Sequence, residues 1–131
     1  MRTNNAISAY SQLDLENSVE SRSPSELIVL LFEKACDSVL RASLLPVDQL
    51  DSLPLDDRLN TIDEFHKSTA KALQTLTGLR GILDRKQGGE LAKQLEETYS
   101  ILISSIWTAS RKKDLTSLHK NYLALSELRQ A

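Results

Sequence analysis

The stretch from Leu55 to Leu83, LDDRLNTIDEFHKSTAKALQTLTGLRGIL, decides the fold class. A stripe of mostly apolar residues recurs in it at steps of three or four, the spacing that gathers side chains on one face of an α-helix. The stripe consists of Leu59, Ile62, Phe65, Thr69, Leu73, Leu76, Leu79 and Leu83. The pattern predicts a long amphipathic helix, the second in the chain, that begins at Leu55 and ends near Asp84.

The segment before this helix contains a well-specified helix start at Ser23-Pro24-Ser25-Glu26. Ser23 can cap the helix, Pro24 suits the first helical position, and Glu26 can accept a hydrogen bond from the N–H of Ser23. Apolar residues at helical spacing continue to about Ser43, which predicts a first helix. These residues are Leu27, Ile28, Leu31, Ala35, Val39 and Ala42.

Proline and glycine pairs mark two of the connections between helices. Pro46 and Pro54 bracket a loop, because proline lacks the N–H that a helix interior uses and restricts the residue before it. Gly88 and Gly89 mark the next boundary, where they can turn the chain tightly. Glu90 then favours the positive start of a third helix.

Two further helices are predicted after the glycine pair. The third runs to about Ser110, and Asp114 can cap the fourth. Their stripes consist of Leu91, Leu95, Tyr99, Leu102 and Ile106, and of Leu115, Leu118, Tyr122, Leu125 and Leu128. The connections after the second helix are short, which implies that neighbouring helices are antiparallel. The predicted fold is therefore all-α, an antiparallel four-helix bundle of residues 23–131. Residues 1–22 are too poor in apolar side chains for a core helix and are predicted to form a flexible arm or short helix.

Composition argues against several classes of function. The net charge of −2, with both signs interspersed, gives no general attraction to nucleic acid or anionic lipid. Cys36 is the only cysteine, so no internal disulfide can form and a reducing cytosol is the natural compartment. No secretory signal is expected in the first ten residues, and no stretch is apolar enough for membrane insertion. The sequence predicts a cytosolic protein that binds neither nucleic acid nor membrane.

The titratable residues form no catalytic or metal-binding pattern. His66 and His119 lie on different predicted helices, without the local spacing of a metal site. Cys36 lies in an apolar stretch and is interpreted as a small buried hydrophobe. Paired acids such as Asp56 and Asp57 fit solvated helix faces. We expect a protein that is not an enzyme and uses no metal or cofactor; an enzyme with a dispersed site is a less favoured alternative.

The first and third helices carry apolar residues beyond their main stripes. The additional residues are Val29, Leu30 and Phe32 in the first helix, and Ile101, Ile103 and Trp107 in the third. Periodicity alone favours central placement of these helices in the bundle, and a second face that binds a partner is the alternative. If a partner binds there, an amphipathic segment laid into a groove is the economical mode.

Several pieces of the sequence, in their order and spacing, resemble the flagellin export chaperone family, FliS. They are Tyr10, the helix start SPSELIVLLFEKA from Ser23, and LDRKQGGELAKQLEETY from Leu83 to Tyr99. Within the last piece, the matching residues are Leu83, Asp84, Gly88, Gly89, Glu90, Ala92, Leu95 and Tyr99. The similarity spans nearly the whole chain. It departs from the family pattern at Phe32-Glu33-Lys34, where tyrosine-aspartate-glycine is frequent, and in a longer connection between the first two helices.

The resemblance implies a cytosolic chaperone that binds the disordered C-terminal segment of flagellin and prevents its premature polymerisation. It also implies delivery of flagellin to the flagellar type III export gate. Ile7 and Tyr10 would belong to a movable apolar cover that contributes to docking at this gate. A helical adaptor or chaperone for a different secreted protein or regulator is the alternative.

Four large side chains in the third and fourth helices are the candidate partner contacts. Such side chains supply contact area at a modest cost in conformational entropy. The candidates are Tyr99, Ile103, Trp107 and Tyr122. Packing in the core is the alternative for each of them, and the sequence leaves the oligomeric state open.

Overall fold

Four α-helices dominate the residues that the structure, a computed structural model, describes, namely 23–83 and 85–130. They are α1 (Pro24–Leu44), α2 (Leu55–Ile82), α3 (Arg85–Lys112) and α4 (Leu115–Gln130). The described residues contain no strand, and a short 3-10 turn lies between α1 and α2. The all-α prediction is confirmed. The arm predicted for residues 1–22, with Ile7 and Tyr10, lies outside the described residues.

The start of α1 has the predicted capping geometry. The backbone N–H of Glu26 donates to the Ser23 hydroxyl at 3.2 Å, and the backbone N–H of Ser23 donates to Glu26 Oε1 at 3.4 Å. Pro24 is the first helical residue. This reciprocal pair satisfies backbone donors that the first helical turn leaves without an intrahelical partner.

The connection between α1 and α2 is folded back onto the bundle. Its 3-10 turn spans Leu50–Ser52, and Val47 is buried in the core. Arg58, in the first turns of α2, donates from Nη2 to the carbonyl of Leu53 at 3.2 Å. The loop predicted between the two prolines is therefore present and anchored at both ends.

The helix is interrupted at the boundary predicted at Gly88 and Gly89. The range of α3 begins at Arg85, but it joins two helical segments across Gly89, which has φ 51° and ψ −145°. A side chain would disfavour this conformation, so glycine breaks the helix here, and the long segment of α3 starts after the pair, as predicted. Glu90 is exposed in the segment that follows the kink.

The turn between α3 and α4 combines two local signals. Lys113 adopts φ 54°, and the backbone N–H of Asp114 donates to the carbonyl of Ala109 at 2.9 Å, a bond that closes the end of α3. Asp114 caps α4 by accepting from the backbone N–H and hydroxyl of Ser117 at 3.1 and 2.7 Å. These hydrogen bonds hold the pKa of Asp114 below its ordinary value.

The four helices form a ring around one apolar core. Helix α1 packs on α2 and α4, and α3 packs on the same two helices. The largest fully buried apolar side chains are Leu31, Cys36, Val39, Phe65, Leu76, Ile106, Leu118 and Leu125. The predicted stripes therefore supply most of these residues, and Cys36, which was expected to be a small buried hydrophobe outside the stripe, is also buried. No helix among the described residues combines the length and hydropathy needed to cross a membrane.

Four residues that the periodicity assigns to core stripes or helix starts are exposed instead. They are Ile28, Leu55, Leu59 and Leu91. Each lies within the first turns of its helix or just beyond the Gly89 kink, where a neighbouring helix does not cover every position. Periodicity identifies the face of a helix, whereas the lengths of its neighbours decide how much of that face is buried.

Candidate partner-binding surface

The outer face of α3 exposes two large apolar side chains. Ile101 is 68% exposed and Trp107 is 51% exposed. Small hydroxyl residues, Ser104 and Thr108, lie between them on the helix surface and are also exposed. At 100° per residue, this order places a shallow strip of small side chains between two apolar ridges. A partner helix could approach the backbone of α3 closely along the strip.

Positive charge flanks this strip at the C-terminal end of α3. The Arg111 guanidinium lies over the Trp107 ring, 4.7 Å from its centroid. This contact holds the indole through a cation–π attraction that contributes roughly 0.5 to 1 kcal/mol at an exposed site. Lys112, also exposed, extends the positive end. The surface therefore joins apolar contact area to a basic flank.

A groove of about 580 Å³ continues the strip towards the start of α4. It is lined by Ser100, Ile101, Ser104, Ser105, Thr108, Ala109, Lys112, Asp114 and Ser117. Asn121 of α4 donates from Nδ2 to the hydroxyl of Ser105 at 3.1 Å and to the carbonyl of Ser117 at 2.8 Å. The bond to Ser105 ties α4 to α3 at the groove, and the bond to Ser117 lies within α4. The groove is open to solvent and rich in hydroxyl groups.

The candidate contacts predicted in α3 and α4 do not form one exposed cluster. Tyr99 is only 5% exposed, and its ring packs against Phe32 with 6.1 Å between centroids. Burial also raises the pKa of the Tyr99 hydroxyl. Ile103 and Tyr122 are half-buried and pack on the core. Of these four candidates, Trp107 has the most exposed side chain, and the partner role of each stays a prediction.

The additional apolar residues of α1 and α3 divide between core and surface. Phe32 is buried, and Leu30 and Ile103 pack partly against the core, which agrees with central placement. Val29, Ile101 and Trp107 are exposed, so central placement does not account for them. These exposed positions fit the alternative of a second face.

Sequence reasoning missed the small residues that form the strip on α3. The signal available was the run of Ser and Thr at positions 100, 104, 105 and 108, in a helix whose other face is apolar. Such residues are common on any solvated helix face. Only the exposed flanking side chains give the run a functional interpretation.

Residues with possible catalytic or metal-binding chemistry are dispersed. His66 and His119 are exposed on different helices, and Cys36 is buried. Burial raises the pKa of the Cys36 thiol and so disfavours the nucleophilic thiolate. In residues 23–83 and 85–130, no group of three or more His, Cys, Asp or Glu side chains is placed to hold a metal ion.

Comparison with known proteins decides the family. The model of the family described as flagellar protein FliS matches residues 6–131. The chain belongs to the FliS family. The flagellar secretion chaperone FliS of Salmonella typhimurium is 31% identical over 132 residues, which cover 100% of this chain and 90% of the relative. The FliS chaperone of Escherichia coli is 27% identical over 115 residues, covering 86% and 75% of the two chains.

A further FliS relative covers most of this chain. The flagellar secretion chaperone FliSB of Pseudomonas aeruginosa is 27% identical over 124 residues, which cover 95% of this chain and 90% of the relative. The resemblance inferred from the helix start and the glycine segment is therefore confirmed. At the departure from the FliS pattern noted above, Phe32 keeps an aromatic ring in the core, where it packs on Tyr99.

Proposed function

We propose that this protein is a cytosolic flagellar secretion chaperone, without enzymatic activity, that binds the disordered C-terminal segment of flagellin. Membership of the FliS family supports the chaperone role. Binding would keep the segment from polymerising before export. The observation that carries the proposal on the structural side is the pair of exposed apolar residues, Ile101 and Trp107, that flank a strip of small side chains on α3.

This surface suits a segment that becomes helical when it binds. An amphipathic helix presents side chains at positions i, i+3, i+4 and i+7, and a groove between two fixed helices can receive them. The strip of Ser104 and Thr108 allows close approach, while Ile101 and Trp107 provide the apolar area that leaves water. The cost of ordering the client limits the affinity, which lets the client leave without nucleotide hydrolysis.

The basic C-terminal end of α3 would set the orientation of the bound client segment. Arg111 and Lys112 lie at the negative C-terminal end of the helix, where their charges are favourable before any partner binds. Acidic residues in the client would meet these two cations when the apolar face of the client covers Trp107. We infer that the bound segment places its acidic flank towards the α3–α4 turn.

Delivery to the flagellar export gate is the second step of the proposed function. The resemblance assigns Ile7 and Tyr10 to an apolar cover that contributes to docking at the gate. Both residues lie outside the described part of the chain, so this role rests on the resemblance. Crosslinking from position 10 to gate components, in cells that express the full chain, tests it.

Calorimetric titration of the full chain with the flagellin C-terminal segment tests client binding. We expect saturable binding near one to one, with a negative change in heat capacity because apolar surface is buried. A scrambled segment of the same composition is the control and should not bind. If a folded sample fails to bind the native segment, the client is wrong and an adaptor for another secreted protein or regulator becomes the better interpretation.

Substitutions on α3 test the site separately from the client. Ile101→Ala and Trp107→Ala should each weaken binding by roughly tenfold, because each removes apolar contact area from the interface. Leu123→Ala is the matched control, since Leu123 is 48% exposed on α4 and does not line the groove. If Ile101→Ala and Trp107→Ala change the client affinity no more than the control Leu123→Ala does, the client binds elsewhere on the bundle.

A further inference from the structure

The outer face of α1 carries a row of three carboxylates. Glu26, Glu33 and Asp37 are all exposed. At 100° per residue they lie within about 40° of one another, on the side of the helix opposite the fully buried Ala35. The row is about 16 Å long, at a rise of 1.5 Å per residue. The side of α1 that faces away from the core is therefore acidic.

Apolar side chains lie among these carboxylates. Val29 is 53% exposed and Leu30 is half-buried, and helical spacing places them on opposite sides of the row. Together with Ser25, Glu26 and Glu33, they line a shallow hollow of about 300 Å³. The hollow therefore combines apolar contact area with a carboxylate at each end.

The chain does not neutralise this face with an internal ion pair. Neither Glu33 nor Asp37 forms an ion pair in the part of the chain that the structure describes. Arg41, one turn beyond Asp37, is paired instead with Glu64 of α2, at 2.9 Å between Nη2 and Oε2. Lys34 is half-buried, and helical geometry places it about 100° around the helix from Glu33. The negative charge of the outer face is thus available to a partner.

This hollow lies on the opposite side of the bundle from the proposed client surface. Helix α1 packs on α2 and α4, and α3 packs on the same two helices, so α1 and α3 are diagonal in the ring. The outer faces of two diagonal helices point away from each other. The α3 surface also ends in the positive charges of Arg111 and Lys112, whereas the α1 face is acidic. The two surfaces therefore suit partners of opposite charge.

We propose that the outer face of α1 binds a helical segment of a second partner protein, in which apolar residues are flanked by Lys or Arg. The apolar side of this segment covers Val29 and Leu30, as in other helix-in-groove contacts. Its cations, spaced two turns and one turn apart, meet Glu26, Glu33 and Asp37, and this charge complementarity sets the orientation of the segment. The interaction goes beyond the proposed client binding and does not depend on it.

Charge complementarity favours this partner over three other occupants of the hollow. Residues 1–22 contain three carboxylates and two arginines, so they offer no excess of positive charge. A second copy would present its densest basic cluster, the consecutive residues 111–113, which cannot match a row about 16 Å long. The acidic flank inferred for the client segment would be repelled by the row.

Fluorescence anisotropy of a labelled designed peptide, titrated with the full chain, tests the proposal. The peptide is helical, with leucines at positions i, i+3, i+4 and i+7 and lysines on both sides of them; its counterpart has Glu in place of every Lys. The contact is small, so the Lys peptide should bind with a Kd of roughly 10 to 100 µM. Raising the salt from about 0.05 to about 0.5 M should weaken this binding at least fivefold. The Glu peptide should not bind.

A substitution in the hollow tests the apolar part of the contact. Val29→Ala should weaken binding of the Lys peptide at least threefold, because it removes apolar area that the peptide covers. Leu123→Ala is the matched control, since Leu123 is 48% exposed on α4 and does not line the hollow. This control should leave the affinity unchanged, and circular dichroism verifies that both variants are folded.

A charge reversal tests the acidic part of the contact. Glu33→Lys with Asp37→Lys should weaken binding of the Lys peptide at least tenfold and should allow the Glu peptide to bind. Glu97→Lys with Glu127→Lys is the control, because it changes the net charge equally at exposed residues of α3 and α4. The control should keep its affinity for the Lys peptide within about threefold of wild type.

Three results overturn the proposal. One is equal affinity of the Lys peptide for the wild type and for the variant reversed at Glu33 and Asp37. Another is an equal loss in the control variant reversed at Glu97 and Glu127, since binding would then follow net charge alone. The third is displacement of the Lys peptide by the flagellin C-terminal segment, which would assign the α1 face to the client. Simultaneous binding of both segments supports a second partner site.

Discussion

At the residue scale, Lys113 adopts a backbone conformation that a side chain disfavours. Its φ of 54° lies in the left-handed region, which Gly adopts without steric cost. Lys113→Gly should raise the free energy of unfolding by about 0.5 to 1 kcal/mol. Urea denaturation at neutral pH measures the change. Lys112→Gly, inside the last turn of α3, is the control and should lower stability. A loss of stability in both variants would refute the role assigned to the φ angle of Lys113.

Cys36 should make the stability of the bundle depend on pH in the alkaline range. Burial raises the pKa of this thiol above its ordinary value of 9.0, so the folded state retains a proton that the unfolded chain releases. The stabilising contribution is complete below the ordinary pKa and is lost as pH rises through the folded pKa. The free energy of unfolding should therefore decline above about pH 9, and Cys36→Ala should reduce the slope of that decline. Denaturant titrations at several pH values compare the two slopes.

At the element scale, the reciprocal cap fixes where α1 begins. Ser23→Ala removes the hydroxyl that accepts from the N–H of Glu26, and it should cost about 1 kcal/mol of stability. Ser25→Ala is the control, because the Ser25 hydroxyl lies 3.3 Å from that of Ser23 but is not the acceptor of the Glu26 N–H. Thermal unfolding by circular dichroism should show a lower Tm for the first variant. Equal shifts would indicate that the cap adds nothing beyond helix propensity.

At the scale of the whole molecule, substitutions in the core should lower stability, whereas substitutions at the surface should weaken client binding. Tyr99 packs against Phe32 between helices that are distant in the chain, so Tyr99→Ala should lower the free energy of unfolding by roughly 3 kcal/mol or more. Trp107→Ala should change it by less than about 1 kcal/mol, because the ring is half exposed. Denaturant unfolding and client titration, performed on both variants, distinguish the roles. A stable Tyr99→Ala variant that loses binding would instead identify Tyr99 as a client contact.

Much of the fold could be predicted because its signals are local. The capping residues of α1, the stripe of α2 and the Asp114 cap of α4 each depend on neighbours within about one turn. The kink at Gly89 was harder to interpret, since glycine permits both a turn between helices and a break inside one. Its neighbours in sequence do not distinguish these outcomes.

The candidate surface could be predicted only in part. Trp107 was identified from its side chain and is exposed, whereas Tyr99, chosen for the same reason, lies in the core. The two residues are eight positions apart, and periodicity places them about 80° apart on the helix. Which of these directions meets another helix depends on the packing of α2 and α4 around α3. The sequence pattern of α3 alone does not contain that information.

The sequence by itself determined the four helices, the apolar faces that form the core, and a resemblance that the FliS family match confirms. These properties follow from residue type and spacing along one helix. Tertiary structure alone decided which apolar residues stay exposed, including Trp107 on α3 and Leu59 on α2. Exposure depends on where the neighbouring helices end and on their register, because a side chain is buried only where another element lies against it.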